Sequence, residues 1–254
     1  SSGNIYNTAV GSNAGTAVTT GAQNTLIGFN SGSSLTTGFS NVAMGVSALS
    51  TEILGRKNVA IGVSALQTQN ADVDNLNVAV GFNAGTAITT GIRNTLIGGL
   101  AGDVLTDTDF NVALGFGALS TDTLGSKSVA IGSEALHSQN FTSATDSFNT
   151  AVGVNAGYAV TTGIQNTLIG ALAGDAITDA DFNTAVGYQS LSNNALGSKN
   201  VALGYSTLAS MNPASASNTF NTAVGHAAGQ IISTGVQNTL IGGLVGDAIT
   251  VGGD

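Results

Sequence analysis

A glycine stands at the fifth position of fourteen consecutive short repeats, and that regularity confines the chain to folds made by stacking one unit on the next. The repeats open at residues 7, 24, 41, 58, 77, 94, 111, 128, 149, 166, 183, 200, 221 and 238. Their spacing is 17 residues except after 58, 128 and 200, where the units are 19, 21 and 21 residues long. The invariant glycines are Gly11, Gly28, Gly45, Gly62, Gly81, Gly98, Gly115, Gly132, Gly153, Gly170, Gly187, Gly204, Gly225 and Gly242. A slower period lies over the first: position nine reads Gly, Gly, Leu, Leu in turn, and position three is Leu only at Leu26, Leu96, Leu168 and Leu240. The true repeat is thus a block of four turns, giving super-repeats 7–76, 77–148, 149–220 and 221–254 in one array over residues 7–254. Residues 1–6 read as the tail of a preceding long unit.

Each unit begins with a β-prone run such as Thr8-Ala9-Val10 or Val59-Ala60-Ile61. Alternation puts positions two and four on one face and position three on the other. Position four is always Val, Ile, Leu or Met, so that face is expected to be a buried aliphatic column. A second β-prone run follows, as in Ala17-Val18-Thr19-Thr20-Gly21; in third-type units its apolar residue moves to Leu54, Leu124 or Leu196. Glycines at positions five, nine and fifteen mark corners, and a helix is excluded by the spacing. The expected fold is all-β: a parallel β-solenoid, or β-roll, of about fourteen 17–21-residue turns with a four-turn super-repeat. At ~4.8 Å per turn the array would be roughly 67 Å long.

Composition narrows the function. Only 7% of residues are charged against 42% apolar, which argues against disorder. Fourteen acids face five bases, Arg56, Lys57, Arg93, Lys127 and Lys199, for a net charge of −9. That balance disfavours nucleic acid and anionic membranes as partners, and no apolar run approaches a membrane span. The absence of a starting methionine or charged leader reads as a mature, processed or excised chain. With no cysteine there is no thiol chemistry.

Units such as Asn58-Val59-Ala60-Ile61-Gly62 and Ser128-Val129-Ala130-Ile131-Gly132 resemble the head repeats of trimeric autotransporter adhesins. The pairing of Asn-Thr-Ala-Val-Gly with Asn-Ala-Gly or Ala-Leu is also similar to arrays in phage tail fibres. The resemblance implies a left-handed β-roll that associates as a homotrimer, located outside the cell, at its surface or on a virion.

The residues that could carry chemistry are few. Asp103, Asp107 and Asp109 recur as Asp175, Asp179 and Asp181 and suit either solvated corner acids or calcium ligands. Asparagine at position one, present in thirteen of fourteen units with Ser128 the exception, fits a stacked amide ladder. Phe29, Phe82, Phe116, Tyr188 and Tyr205 share position six and would line one edge. His137 and His226 lack partners at catalytic spacing, and no serine lies in a nucleophile motif. Threonine pairs such as Thr19-Thr20 recur mostly every fourth turn, too sparsely for a flat ice-binding face.

The expected role is a structural, non-catalytic rigid segment of a fibre or adhesin, with no cofactor other than the calcium alternative. Two further readings are a filament subunit stacking head to tail and a module binding a surface glycan or receptor. The latter would use the extra residues around Gln69 to Leu76, Asn140 to Phe148 and Met211 to Phe220.

Overall fold

The computed structural model describes residues 5–251. The expectations for residues 1–4, as a repeat tail, and for 252–254, as the close of a second-type turn, lie outside them. The fold is an all-β parallel solenoid of about fourteen turns, with its fourteen three-residue strands in chain order in a parallel sheet. No helix occurs among the described residues.

The chain divides into two compact units, one reaching to Ser126 and including Thr142–Ala144, the other comprising Lys127–Phe141 and the chain from Thr145 on. In the first unit the strands are β1 (Thr8–Val10), β2 (Thr25–Ile27), β3 (Val42–Met44), β4 (Val59–Ile61), β5 (Val78–Val80), β6 (Thr95–Ile97), β7 (Val112–Leu114) and the short β8 (Gly125–Ser126). In the second they are β9 (Val129–Ile131), β10 (Thr145–Asp146), β11 (Thr150–Val152), β12 (Thr167–Ile169), β13 (Thr184–Val186), β14 (Gly197–Ser198), β15 (Val201–Leu203), β16 (Ser217–Asn218), β17 (Thr222–Val224) and β18 (Thr239–Ile241). Each position pairs with the same position one turn on: Ala9 with Leu26 and Leu26 with Ala43, then Ala151 with Leu168 and Leu168 with Ala185. The longer units leave this register intact, since Val59 still faces Val78 and Val201 still faces Thr222.

Position five explains its glycine twice. The backbone there has φ between 127° and 143°, a region closed to side chains. A Cβ on Gly62 would also lie 2.2 Å from the Gly81 carbonyl oxygen, and one on Gly153 2.5 Å from the Gly170 carbonyl carbon. Beside this column runs the asparagine ladder. The Asn24 backbone N–H donates to Asn7 Oδ1 at 2.8 Å while its Nδ2 donates to the Gly38 carbonyl at 2.9 Å. The same bond repeats at Asn41, Asn58, Asn77, Asn94 and Asn111, and in the second unit at Asn166, Asn183, Asn200, Asn221 and Asn238. Apart from Asn7 and Asn238 at the two ends of the ladder, these side chains are buried, so the ladder satisfies backbone groups that water cannot reach.

The sheet faces the opposite way from the sequence expectation. Position three is fully buried, at Leu26, Ala43, Ala60, Leu96, Leu168 and Ala202, whereas position four points outward and is two-fifths or more exposed at Val10, Leu114 and Leu203. The interior is narrow, so it takes Ala in most turns, and the larger β-branched residues stand outside. Position twelve is the second core column, with Leu35, Ile88, Leu105, Val160 and Ile177 at 0% exposure. Leu54, Leu124 and Leu196 are only half-buried; the interior place in those turns belongs to Glu52, Asp122 and Asn194.

Volume matching accounts for the four-turn period. Where position three is Leu, the glycines at position nine of its own and the preceding turn make room for it. A Cβ at Gly15 or Gly32 would come within 2.7 Å of the Leu26 methyls, and one at Gly157 or Gly174 within 2.7 Å of those of Leu168. In the two turns after the leucine turn, where position three is Ala, as at Ala43 or Ala185, position nine becomes a buried leucine, Leu49 or Leu191, despite a left-handed φ near 51° and 52°. That position-nine leucine occupies the centre, and position twelve turns polar in all of these turns but one, where it is the buried Met211.

Two substitutions test this matching. Leu168→Ala should lower stability by about 2–5 kcal/mol through the cavity it leaves. Gly157→Ala should also destabilise, because the new Cβ meets Leu168 Cδ1. In denaturant titrations followed by circular dichroism the double variant should lose less than the sum of the two, the mark of residues sharing one space.

Candidate functional site

The outward sheet face is the largest feature left open by the fold. In the first unit position four supplies Val10, Ile27, Met44, Ile61, Val80, Ile97 and Leu114 in a continuous column, and in the second Ile131, Val152, Ile169, Val186, Leu203, Val224 and Ile241. Positions one to six carry no Asp, Glu, Lys or Arg in any of the fourteen turns. Every charge falls on positions seven to seventeen or in the insertions, so the apolar face is segregated from the charged edges.

One margin of that face is aromatic. In the second unit Tyr188, Tyr205 and His226 occupy position six of successive turns and stack, with ring centroids 5.7 Å and 5.0 Å apart and interplanar angles of 18° and 8°. His137 stacks likewise on Tyr158 at 5.1 Å. Both histidines thus have partners one turn away, invisible as a linear motif. Because the rings face one another, the Tyr205 faces are both taken by neighbours.

The other margin gathers the cations. Lys57, Arg93, Lys127 and Lys199 all stand at position seventeen and Arg56 beside Lys57, which their scatter along the chain concealed. The Arg93 guanidinium lies 5.2 Å from the Phe110 ring centre, Lys127 Nζ 5.3 Å from that of Phe148, and Lys199 Nζ 5.9 Å and 5.3 Å from those of Phe182 and Phe220. Lys57 also pairs with Asp74, Arg56 with Asp72 at 3.1 Å, and Lys127 with Asp146. These pairs are exposed and contribute little stability each. Lys57 beside Asp74 holds that carboxyl below its usual range.

The acidic corners are used for bracing between turns. Asp107 accepts from Thr90 Oγ1 at 2.7 Å, and Asp109 from the Ile92 N–H at 2.8 Å. Asp179 accepts from Thr161 Oγ1 at 3.0 Å, and Asp181 from the Ile164 N–H at 2.8 Å. Asp103 and Asp175 are half-buried, and burial pushes the Asp175 carboxyl up. Among the described residues no group of three or more His, Asp or Glu is placed to hold a metal ion. No helix there is long and apolar enough to cross a membrane. Threonine hydroxyls are similarly engaged, with Thr36 Oγ1 donating to the Ile53 carbonyl at 3.1 Å and Thr106 Oγ1 to that of Thr123 at 2.8 Å.

The insertions do not project as free loops. Gln69, Asn75, Phe141, Met211, Pro213 and Thr219 are buried, and β16 pairs in parallel with β14. In two of the long units a buried glutamine joins the interior ladder. Gln69 Oε1 accepts from Asn77 Nδ2 at 2.6 Å, and at Ser128 the Gln139 carboxamide donates to Ser128 Oγ and accepts from Asn149 Nδ2, each at 2.9 Å.

Sequence reasoning missed two buried carboxylates, Glu52 and Asp122. Glu52 is fully enclosed and accepts from the Gly55 N–H at 2.7 Å, the Ile53 N–H at 3.0 Å and Asn75 Nδ2 at 3.1 Å. Asp122 and Asn194 occupy its place in the next two blocks and accept from Gly125 and Gly197 at 3.0 Å and 2.9 Å. The shared signal is a polar residue three before a position-fifteen glycine, and its work is to cap a corner. Comparison with protein-family models, curated proteins and solved structures finds no match to this chain.

Burial raises the Glu52 pKa, against the lowering effect of its N–H donors. A raised folded pKa means that the stabilising, protonated form persists at low pH. Stability is then lost as pH rises from the ordinary glutamate value of ~4.3 through the raised folded value. Glu52→Gln keeps the acceptor without the charge, as Asn194 does naturally. The variant should be more stable than the parent at pH 7, with the difference vanishing below about pH 4 in urea titrations.

Proposed function

We propose that this chain is a rigid, non-catalytic structural segment of a fibre or adhesin, borne outside the cell or on a virion, in which copies pack side by side through the position-four face. The observation that carries this reading is the charge-free aliphatic column on the outside of a parallel sheet. Soluble monomers rarely leave contiguous apolar patches beyond a few hundred Å². Seven outward aliphatic side chains per unit, widened by Phe29, Phe82 and Phe116 at position six in the first unit, reach that order. The flanking charges form a polar rim, the usual anatomy of an association surface.

Several features support a mechanical role. The position-one amide ladder recurs from turn to turn, with Ser128 replacing its asparagine once, so stiffness is a property of the period. The acids and hydroxyls brace neighbouring turns, and each long unit buries part of its insertion, as at Gln69, Asn75, Phe141, Met211 and Thr219. A second copy of the same chain fits the face because a column of identical, uncharged positions complements itself.

The reading is tested by mass and shape together. Purified chain should show a multiple of the single-chain mass by light scattering and sedimentation, and side-by-side rods by electron microscopy. Ile61→Glu combined with Ile97→Glu should reduce it to single-chain mass with unchanged far-ultraviolet circular dichroism. A wild-type chain that remains single at micromolar concentration contradicts side-by-side packing.

A further inference from the structure

The Tyr188–Tyr205 stack joins two chemically identical, oxidisable rings from successive turns. Their centroids are 5.7 Å apart at an 18° angle, and the side chains are 44% and 49% exposed. They are held opposite by the ladder beneath them, in which Val186 pairs with Leu203 two positions earlier. The composition removes the usual competitors for one-electron oxidation. There is no cysteine and no tryptophan, and of the two methionines Met211 is buried. Among the described tyrosines, Tyr158 stacks on a histidine rather than on another phenol.

We propose that Tyr188 and Tyr205 form an oxidative cross-linking site, which a peroxide acting through a haem peroxidase converts to an intrachain dityrosine. Each phenol gives up one electron and its hydroxyl proton. The two phenoxyl radicals couple through their ortho carbons, and each ortho hydrogen then moves to the phenolic oxygen to restore the ring. The product has lost two hydrogen atoms overall, while one hydrogen peroxide takes up the two electrons and two protons to give two waters. Half-exposed side chains change rotamer on the ps–ns timescale, so the short approach from stacking to bonding distance lies within their motion. Tethering to adjacent rungs gives each radical a partner at high effective concentration, which favours coupling within a chain over coupling between chains. The bond would staple the turn of β13 to that of β15 on the outer face. The inference rests on this pair alone and is independent of how copies pack.

The test treats the purified chain with horseradish-type peroxidase and hydrogen peroxide. The readouts are dityrosine fluorescence, intact mass and a proteolytic cross-link map. The expected result is a single-chain product lighter by two hydrogens, with Tyr188 joined to Tyr205. The signal should disappear in Tyr188→Phe and in Tyr205→Phe, which keep the ring stack, and persist in Tyr158→Phe. Dityrosine that survives Tyr188→Phe, links found only between chains, or no dityrosine under conditions that couple free tyrosine would each overturn the proposal.

Discussion

The structure depends on one repeated hydrogen-bonding arrangement: a buried asparagine whose Oδ1 accepts the backbone N–H of the asparagine one turn on, while its Nδ2 reaches a backbone carbonyl fourteen residues later. Within a narrow coil many backbone groups face inward, where an unmade bond costs about 1–3 kcal/mol. The ladder satisfies them at the same place in every turn and thereby fixes the register. At Ser128, where the position-one asparagine is absent, Gln139 from the same turn donates to Ser128 Oγ and accepts from Asn149 Nδ2. The position-five glycines follow from the same close stacking, since each carbonyl occupies the space a Cβ would need.

From that register follow both the core and the surface. With position one turned inward to the ladder, position three also points inward and positions two and four point out. The interior then has room for one large aliphatic group per level at positions three and nine together. This is why Leu26 or Leu168 coincides with glycine and Ala43 or Ala185 with leucine. The remaining aliphatic residues, excluded from so slim a core, line the outer sheet face. Glu52, Asp122 and Asn194 show the polar side of the arrangement: corners beneath a position-nine leucine are closed by a side-chain acceptor.

The period, the parallel fold, the corner glycines and the asparagine ladder were legible in the sequence because each depends on one residue type recurring at one spacing. The direction of the strand faces was not. Met44 and Ile61 look more core-like than Ala43 and Ala60, and only the cross-section of the coil decides that the small residue goes inside. The cation column and the tyrosine–histidine stacks were hidden for another reason, as residues 17 to 21 apart become neighbours only after the turns are closed. That the insertions bury Gln69, Asn75 and Thr219 was not legible, because these residues are polar and polarity alone reads as surface.

Residue-resolved hydrogen–deuterium exchange of the position-one asparagine amides tests the central claim most directly. The N–H groups of Asn24, Asn41, Asn94, Asn166 and Asn200 donate to side-chain oxygens rather than to the backbone. If the ladder sets the register, these amides exchange only on global unfolding, as slowly as the slowest strand amides. If they exchange quickly while Leu26, Leu96 and Leu168 stay protected, the amide column is a passenger on the sheet and the register has another cause.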